Sequence, residues 1–182
     1  MTPEEIAEEW QLIQKAQTNK QRFGLLYSKY YDSVFGFIFN RIVDVETTAD
    51  ICSDTFFKAS EKLEDYRFQG RPFGGWLFKI AYNEVNQHFR KNKKNRIVLL
   101  EDSYAETIKD EIGNAEELEI NLTKLEKAIS MLSPEDMEMV RMRFFEKMSF
   151  RDIGDILEIE ENNAKVKNHR IIDKLRKLFI KL

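Results

Sequence analysis

The feature of this sequence that most constrains its fold is a helical spacing of apolar residues, repeated along the chain with few breaks. The clearest case lies between residues 22 and 43, where apolar side chains recur every three or four residues: Phe23, Leu26, Tyr27, Tyr30, Val34, Phe37 and Ile38. A fold rich in strands would need frequent turn residues, yet the 182 residues include only 7 glycines and 3 prolines. The sequence therefore predicts an all-α fold made of long helices.

Charge divides the chain into three segments. The formal net charge of −3 averages over two weakly basic blocks, residues 1–96 and 124–182, which each carry a net charge of +2. Between them, residues 97–123 contain eight acids and one lysine, a net charge of −7. The sequence thus predicts two small helical domains, 1–96 and 124–182, joined by the acidic linker 97–123. Both domains end in tracts rich in lysine and arginine, which favours contact with a polyanion.

Several function classes are disfavoured by what the sequence lacks. Cys52 is the only cysteine and there are two histidines, too few for a disulfide framework or a Cys-rich zinc site. The sequence has no paired histidine and nucleophile and no phosphate-binding glycine loop, so we expect no catalysis, no cofactor and no metal. It also has no run of about 18 apolar residues and no cleavage signal, which predicts a cytoplasmic protein.

The third predicted helix spans 47–65, with Thr47 as its N-cap, and its outer face is unusual. That face is one row of acids around an aromatic residue: Asp50, Asp54, Phe57 and Glu61. A solvated surface seldom includes so large an apolar side chain, so we interpret this row as a protein-docking surface. A neutral surface is the alternative.

A loop and the helix after it combine aromatic, amide and basic side chains. The candidate nucleic-acid contacts of the loop at 66–75 are Arg67, Phe68 and Arg71. Aromatic rings stack on unpaired bases and arginines contact phosphates, whereas packing of the loop beneath the domain is the alternative. On the helix that begins at Trp76, the side opposite the apolar stripe carries Lys79, Asn83, Asn86, Gln87 and Arg90. Amides and cations of this kind suit base edges and phosphates.

The carboxy-terminal block has the outline of a helix-turn-helix. Ser133 and Ser149 each stand three residues before an acid, as N-caps do, and are expected to begin two helices. The second is short and is followed by a tight turn and a long basic helix from about residue 160. One side of this last helix is predicted to pack: Ala164, Asn168, Ile171, Leu175 and Leu178. The opposite side can read a major groove through Asn162, Asn163, Lys165, Val166, His169 and Arg170, unless the helix is simply the basic surface of a bundle.

Taken in order, these pieces resemble the extracytoplasmic-function sigma factors, the small two-domain relatives of the main bacterial sigma factor. The resemblance spans residues 23–182. Its most specific parts are ADICSDTFFKA at 49–59, WLFKIAYN at 76–83 with the following RKNKK, and LSPEDMEMVRMRFFEKMSFRDIGDIL at 132–157 with NNAKVKNHR at 162–170.

The resemblance implies a fold, partners and roles. The first domain would be the sigma region 2 bundle, whose helix at 50–57 docks on the clamp helices of core RNA polymerase. Its loop and the helix around Asn83 would melt the minus-ten promoter element and hold the displaced bases. The second domain would be region 4, which binds the polymerase flap and reads the minus-thirty-five element of promoter DNA with its last helix. The linker would thread the polymerase channel, and an anti-sigma factor, often membrane-bound in this family, would be a further partner of a chain that is not itself a membrane protein.

A helix-turn-helix transcriptional regulator that acts without core polymerase is the second hypothesis. It predicts tight duplex binding by the isolated protein, whereas a sigma factor alone should bind weakly. An enzyme is a distant third.

Overall fold

The computed structural model describes residues 1–92 and 122–182, which belong to two compact units. The secondary structure of these residues is helical and none of them lies in a strand, which confirms the prediction of an all-α fold. The predicted linker 97–123 lies outside the described residues except for its last two, which begin a helix.

The amino-terminal unit is a bundle of four α-helices within residues 1–92. Their bounds are α1 (Pro3–Thr18), α2 (Phe23–Ile42), α3 (Val45–Lys62) and α4 (Gly74–Asn92), with 3₁₀ turns at Lys20–Arg22 and Leu63–Asp65. Helices α2, α3 and α4 pack against one another in pairs, and α1 packs against α2. The fully buried side chains at the centre include Leu26, Ile38, Cys52, Ala59, Leu77 and Ala81. These residues lie at helical spacing on their own helices, so each apolar stripe faces the shared core.

Local capping explains where α2 ends and α3 begins. Val43 adopts a left-handed conformation with φ of 58°, which ends α2. Asp44 follows in an extended conformation, and its Oδ1 accepts a hydrogen bond of 2.8 Å from the Thr47 N–H. The N-cap of α3 is therefore Asp44, and the prediction of Thr47 was wrong because the better acceptor stands three residues earlier.

A buried carboxylate joins three segments of the amino-terminal unit. Glu9 lies on the inner side of α1 and is only 3% exposed. Its Oε1 accepts hydrogen bonds from Lys29 Nζ and the Tyr30 hydroxyl of α2, each at 2.6 Å. Its Oε2 accepts one of 2.7 Å from the N–H of Phe73, the residue before α4. Burial and the hydrogen bond to Glu9 raise the pKa of Tyr30, so this hydroxyl stays protonated and remains a donor.

The carboxy-terminal unit is built from shorter helices that end in one long one. Their bounds are α5 (Leu122–Ser130), α6 (Pro134–Val140), a π-helical turn (Arg141–Phe145), α7 (Phe150–Leu157) and α8 (Glu161–Lys181). Both predicted serine caps are confirmed, because Ser133 Oγ accepts the Asp136 N–H at 3.2 Å and Ser149 Oγ accepts the Asp152 N–H at 3.1 Å. The predicted order of short helix, tight turn and long basic helix is thus found in α7 and α8.

The turn between α7 and α8 depends on a close backbone approach at Gly154. The Ile159 N–H donates to the Gly154 carbonyl at 2.9 Å, and Glu158 between them is left-handed with φ of 58°. A Cβ added to Gly154 would lie 2.6 Å from the backbone oxygen of Ile159. Only glycine allows the turn to fold back this tightly onto α7, and that contact directs the start of α8.

Replacement of Glu9 should destabilise the amino-terminal unit. Glu9→Ala leaves the Tyr30 hydroxyl and the Phe73 N–H buried without their acceptor, which should cost about 2–4 kcal/mol of unfolding free energy. Glu9→Gln keeps one acceptor oxygen and should lose less. Urea unfolding followed by tryptophan fluorescence measures this unit, because Trp10 and Trp76 both lie in it. The matched control Glu8→Ala removes an exposed carboxylate and should change stability by less than about 0.5 kcal/mol.

Replacement of Gly154 should loosen the helix-turn-helix. Gly154→Ala forces the turn away from α7 and should cost about 1–3 kcal/mol, seen as faster amide hydrogen exchange in α7 and the start of α8. The control is Gly36→Ala in α2, where nothing lies within 4 Å of the added Cβ. That change should leave α7 and α8 unaffected and stabilise its own helix by about 0.5–1 kcal/mol. Equal effects of the two substitutions on α7 would contradict this account of the turn.

Candidate protein and nucleic-acid interfaces

The predicted docking row lies together on the outside of α3. All four of its side chains are exposed: Asp50, Asp54, Phe57 and Glu61. Phe57 is 64% exposed, although Phe56 next to it is a core residue. The packing of Cys52, Phe56 and Ala59 into the bundle fixes this orientation, because Phe57 follows Phe56 by 100° around the helix. The row is thus a rigid acidic surface with one large apolar side chain near its centre.

A stripe of aromatic rings on α2 packs against Phe56 of α3, and it was missed in the sequence. Tyr27, Tyr31, Phe35 and Phe39 follow one another every four residues, with centroid distances of 5.2, 5.8 and 6.3 Å along the series. The rings of Tyr27 and Tyr31 also contact Phe56 of α3. None of the four is fully buried, and Tyr27 is exposed although the sequence placed it in the core stripe. The spacing of four residues could have predicted this stripe. Four residues are slightly more than one helical turn, so successive rings move around the helix away from the core.

The loop before α4 comprises residues 66–73, because α4 begins at Gly74. It is partly packed and partly exposed. Tyr66 and Phe73 at its two ends are buried, so the alternative of a loop tucked under the domain holds for these two rings. Arg67 is exposed, and Arg71 is half-buried with its guanidinium donating to the Gln69 side chain. Phe68 is half-buried and stacks on Trp10 of α1, with centroids 4.9 Å apart and planes at 11°. The loop therefore exposes Arg67, while Arg71 and the ring of Phe68 already have partners within the protein.

The polar side of α4 forms an open groove. Of the predicted residues, Asn83 and Arg90 are exposed, and three are half-buried: Lys79, Asn86 and Gln87. A groove of about 510 Å³ is lined by Asn83, Glu84, Asn86, Gln87, Phe89 and Arg90. Glu84 would repel phosphates, but its carboxylate lies 2.6 Å from Lys58 Nζ of α3. This ion pair offsets the negative charge in the groove, which leaves amides and an arginine as its polar contacts.

The predicted reading face of α8 points away from the packed side. All six of its residues are exposed: Asn162, Asn163, Lys165, Val166, His169 and Arg170. On the packed side, Ala164, Ile171 and Leu175 are buried as predicted. Leu178 is only half-buried, and Ile172 and Phe179 are buried instead, so the packed face is turned slightly around the helix.

Acids of α8 stand beside two of the predicted DNA contacts. Lys165 Nζ lies 2.7 Å from Glu161, and the hydrogen bond and positive charge lower the pKa of that carboxyl. His169 Nε2 lies 3.7 Å from Asp173. Asn163, Val166 and Arg170 form a row along the exposed side at intervals of three and four residues. This row combines an amide, a methyl-bearing side chain and a guanidinium, the chemistry that distinguishes bases in a major groove.

Residues 1–92 and 122–182 contain no group of three His, Cys, Asp or Glu side chains that could hold a metal ion. No helix in these ranges is long and apolar enough to span a bilayer. Cys52 is fully buried, and burial raises the pKa of its thiol to about 11. A thiol with so high a pKa is a core side chain rather than a nucleophile at neutral pH.

Similarity to known proteins follows the same division of the chain. The family model described as sigma-70 region 2 matches residues 26–95, and the one described as sigma-70, region 4 matches residues 122–175. The chain is 28% identical to the ECF RNA polymerase sigma factor BldN of Streptomyces coelicolor over 178 residues. That match covers 92% of this chain and 64% of the relative's length. The chain is also 25% identical to the ECF RNA polymerase sigma factor SigX of Bacillus subtilis, over 87% of this chain and 84% of that protein.

Two solved structures share the fold. One is CnrH in complex with the cytosolic domain of CnrY, with a TM-score of 0.59, 20% identity, and coverage of 93% of this chain and 96% of that one. The other is the sigma factor RpoE in complex with the anti-sigma factor NepR from Bartonella quintana, with a TM-score of 0.55, 20% identity, and coverage of 86% and 95%. The two family models together match more than half of the sequence, in the order region 2 then region 4. The chain therefore belongs to the sigma-70 family of RNA polymerase sigma factors, as one of the extracytoplasmic-function type.

Proposed function

We propose that this sigma factor brings core RNA polymerase to its promoters through three separate surfaces and supplies no catalytic group of its own. The observation that carries the proposal is that each unit exposes a helix face of amides and cations, on α4 and on α8, while α3 exposes an acidic and aromatic face. Residues 1–96 would act as the region 2 domain, 97–123 as the linker and 124–182 as the region 4 domain. Because its partner polymerase works in the cytoplasm, the protein would act there.

The docking row of α3 would bind the clamp helices of the polymerase. Phe57 is the natural anchor, because an exposed ring at the centre of a surface contributes most when a partner pocket desolvates it. Asp50, Asp54 and Glu61 would contact basic residues around that pocket and orient the partner. The aromatic stripe of α2 contacts Phe56, the residue before Phe57, and would extend the apolar part of the contact.

The 66–73 loop and α4 would open the minus-ten element. Arg67, Arg71, Lys79 and Arg90 would hold phosphates, while the ring of Phe68 would provide a stacking surface for a displaced base. Asn83, Asn86 and Gln87 would hydrogen-bond base edges from the groove on α4, where the charge of Glu84 is offset by Lys58.

The exposed side of α8 would read the minus-thirty-five element in the major groove. Asn162 or Asn163 can pair with adenine through two hydrogen bonds, Val166 can contact a thymine methyl group, and Arg170 can contact guanine or phosphate. Lys165 and His169, which have Glu161 and Asp173 beside them, would position the helix on the backbone. The first helices of this unit would contact the polymerase flap.

Weak binding by each unit would make the polymerase essential for promoter recognition. Residues 1–96 and 124–182 each carry a net charge of only +2, so each would release few counterions when it binds DNA. Neither domain would therefore gain much non-specific affinity for DNA. Bound to one polymerase, the two units would act at high effective concentration on one promoter. An anti-sigma factor that covers the docking row of α3 and the faces of α4 and α8 would then suffice to inhibit the protein. A membrane-bound anti-sigma factor would link release of the sigma factor to an external signal.

Run-off transcription tests this function. Purified core polymerase on a mixed promoter library should give new start sites only when the protein is added, because the polymerase alone lacks promoter-reading surfaces. Phe57→Ala should reduce these transcripts about tenfold or more by weakening the polymerase contact, with no change in folding. If no start site depended on the protein, while the free protein bound duplex DNA tightly, the helix-turn-helix regulator would be the correct assignment.

Substitutions in the two DNA faces should affect different steps. Arg170→Ala should weaken the closed complex about tenfold by removing a base or phosphate contact, and leave opening of the remaining complexes unchanged. Asn83→Ala should leave the closed complex intact and slow promoter opening. Filter binding at low temperature measures the first step and permanganate reactivity of unpaired thymines the second. Loss of the same step in both variants would contradict the division of labour between α4 and α8.

A further inference from the structure

Side chains of one helix, α1, contact the 66–73 loop at its two ends and near its middle. The α1 residues that make these contacts are Glu9, Trp10 and Gln17. Gln17 also contacts Leu63, three residues before the loop. The match to the region 2 family model begins at residue 26, so α1 lies before it. The function assigned above to the loop and α4 gives these contacts no role.

Hydrogen bonds from α1 fix both ends of the loop. The side-chain amide of Gln17 donates to two backbone carbonyls, those of Leu63 at 2.9 Å and Tyr66 at 3.0 Å. At the other end, Glu9 Oε2 accepts the Phe73 N–H at 2.7 Å. These three bonds attach the backbone at the start and at the end of the loop to α1, and they therefore restrict the conformations open to the loop.

The middle of the loop is held by stacking. Trp10 lies nearly parallel to Phe68 at a centroid distance of 4.9 Å and also contacts Tyr66 at 6.4 Å. Aromatic pairs of this geometry stabilise beyond the area they bury. Gly70, with φ of 70°, lies two residues beyond Phe68, at the one position in the loop with positive φ. Without the Trp10 ring, the segment between Phe68 and Gly70 would have fewer restraints.

We propose that α1 is a positioning element for promoter opening, which holds the 66–73 loop in the conformation that receives unpaired bases before DNA arrives. The proposal rests on the function assigned above to the loop. A loop that is ordered in advance loses less conformational entropy when it captures a base, so capture becomes tighter without any direct contact between α1 and DNA. Gln17 and Trp10 are positioning residues in this scheme, and Phe68 receives its orientation from Trp10.

A structural role alone would be a weaker explanation of these contacts. Tyr66 and Phe73 are buried and already attach the loop to the core at both ends. The two bonds of Gln17 lie in a half-buried region and restrain carbonyls rather than fill the core. Their loss should therefore change the loop more than the stability of the bundle.

The first test needs no DNA and no polymerase. Trypsin can cut the full-length protein after Arg67, whereas Pro72 protects the bond after Arg71. Gln17→Ala should raise the rate of cleavage after Arg67 by about tenfold, the effect of losing two neutral hydrogen bonds. Gln14→Ala, the same change at an exposed position of α1, should cleave at the wild-type rate. Equal rates for wild type and Gln17→Ala would overturn the proposal, and they would do so whether or not the protein is active in transcription.

The second test uses the polymerase complex on a promoter identified by run-off transcription. Gln17→Ala and Trp10→Ala should bind a forked promoter with an unpaired minus-ten strand about five- to tenfold more weakly than wild type. Both should form the closed duplex complex normally, and Trp10→Phe, which keeps a ring against Phe68, should restore fork binding. Equal losses on fork and duplex would mean general destabilisation, and unchanged or tighter fork binding would mean that α1 does not assist capture; each overturns the proposal. Failure of the wild type to find any promoter would instead refute the proposed function.

Discussion

The amino-terminal unit depends on one buried carboxylate, that of Glu9, which accepts hydrogen bonds from Lys29, Tyr30 and Phe73. A carboxylate that is 3% exposed must have donors, and these come from α2 and from the residue before α4. Apolar packing alone would allow α1 to shift along the bundle, whereas three directional bonds allow one register. The same contact places the rings of Tyr30 and Phe73 6.1 Å apart, and Tyr66 and Trp76 pack against Phe73 at 5.2 and 5.1 Å. The base of the 66–73 loop is thus built on Glu9.

The exposed faces are rigid because their opposite sides are buried. On α4, Leu77, Ala81 and Val85 are fully packed beneath the amide groove. On α8, Ala164 and Leu175 are buried beneath the proposed reading face, and the contact of Gly154 with the following turn directs the helix start. Polar side chains on packed helices need little ordering when they bind, so in the proposed function the core would contribute to recognition without touching DNA. Between its two buried ends the 66–73 loop has no packed helix beneath it. There α1 supports the loop through the stacking of Trp10 on Phe68.

The sequence predicted the features that depend on residues close together in the chain. It did not predict the contacts between residues far apart in the chain. The caps at Ser133 and Ser149 and the exposed sides of α3 and α8 follow from spacing alone, and the structure has them as predicted. The prediction of Thr47 as the N-cap of α3 was wrong, because Asp44 three residues earlier is a better acceptor. The hydrogen-bond donors of the buried Glu9 could not be deduced, because they lie 20 to 64 residues away. Its position between Ile6 and Ile13 on the inner stripe was the available signal.

Net charge illustrates why a chain average can mislead about function. A value of −3 argues against nucleic acid, yet the two helical blocks each carry +2, and the acids of 97–123 account for the difference. Within the blocks, the same local balance recurs: Lys58 offsets Glu84 in the groove of α4, and Glu161 and Asp173 moderate the cations of α8. A protein with strongly basic faces would bind any DNA and be lost on non-specific sites. In the proposed function, such moderated faces would leave selection to base contacts and to the polymerase, and weak DNA affinity of the free protein would be a condition of its specificity when bound.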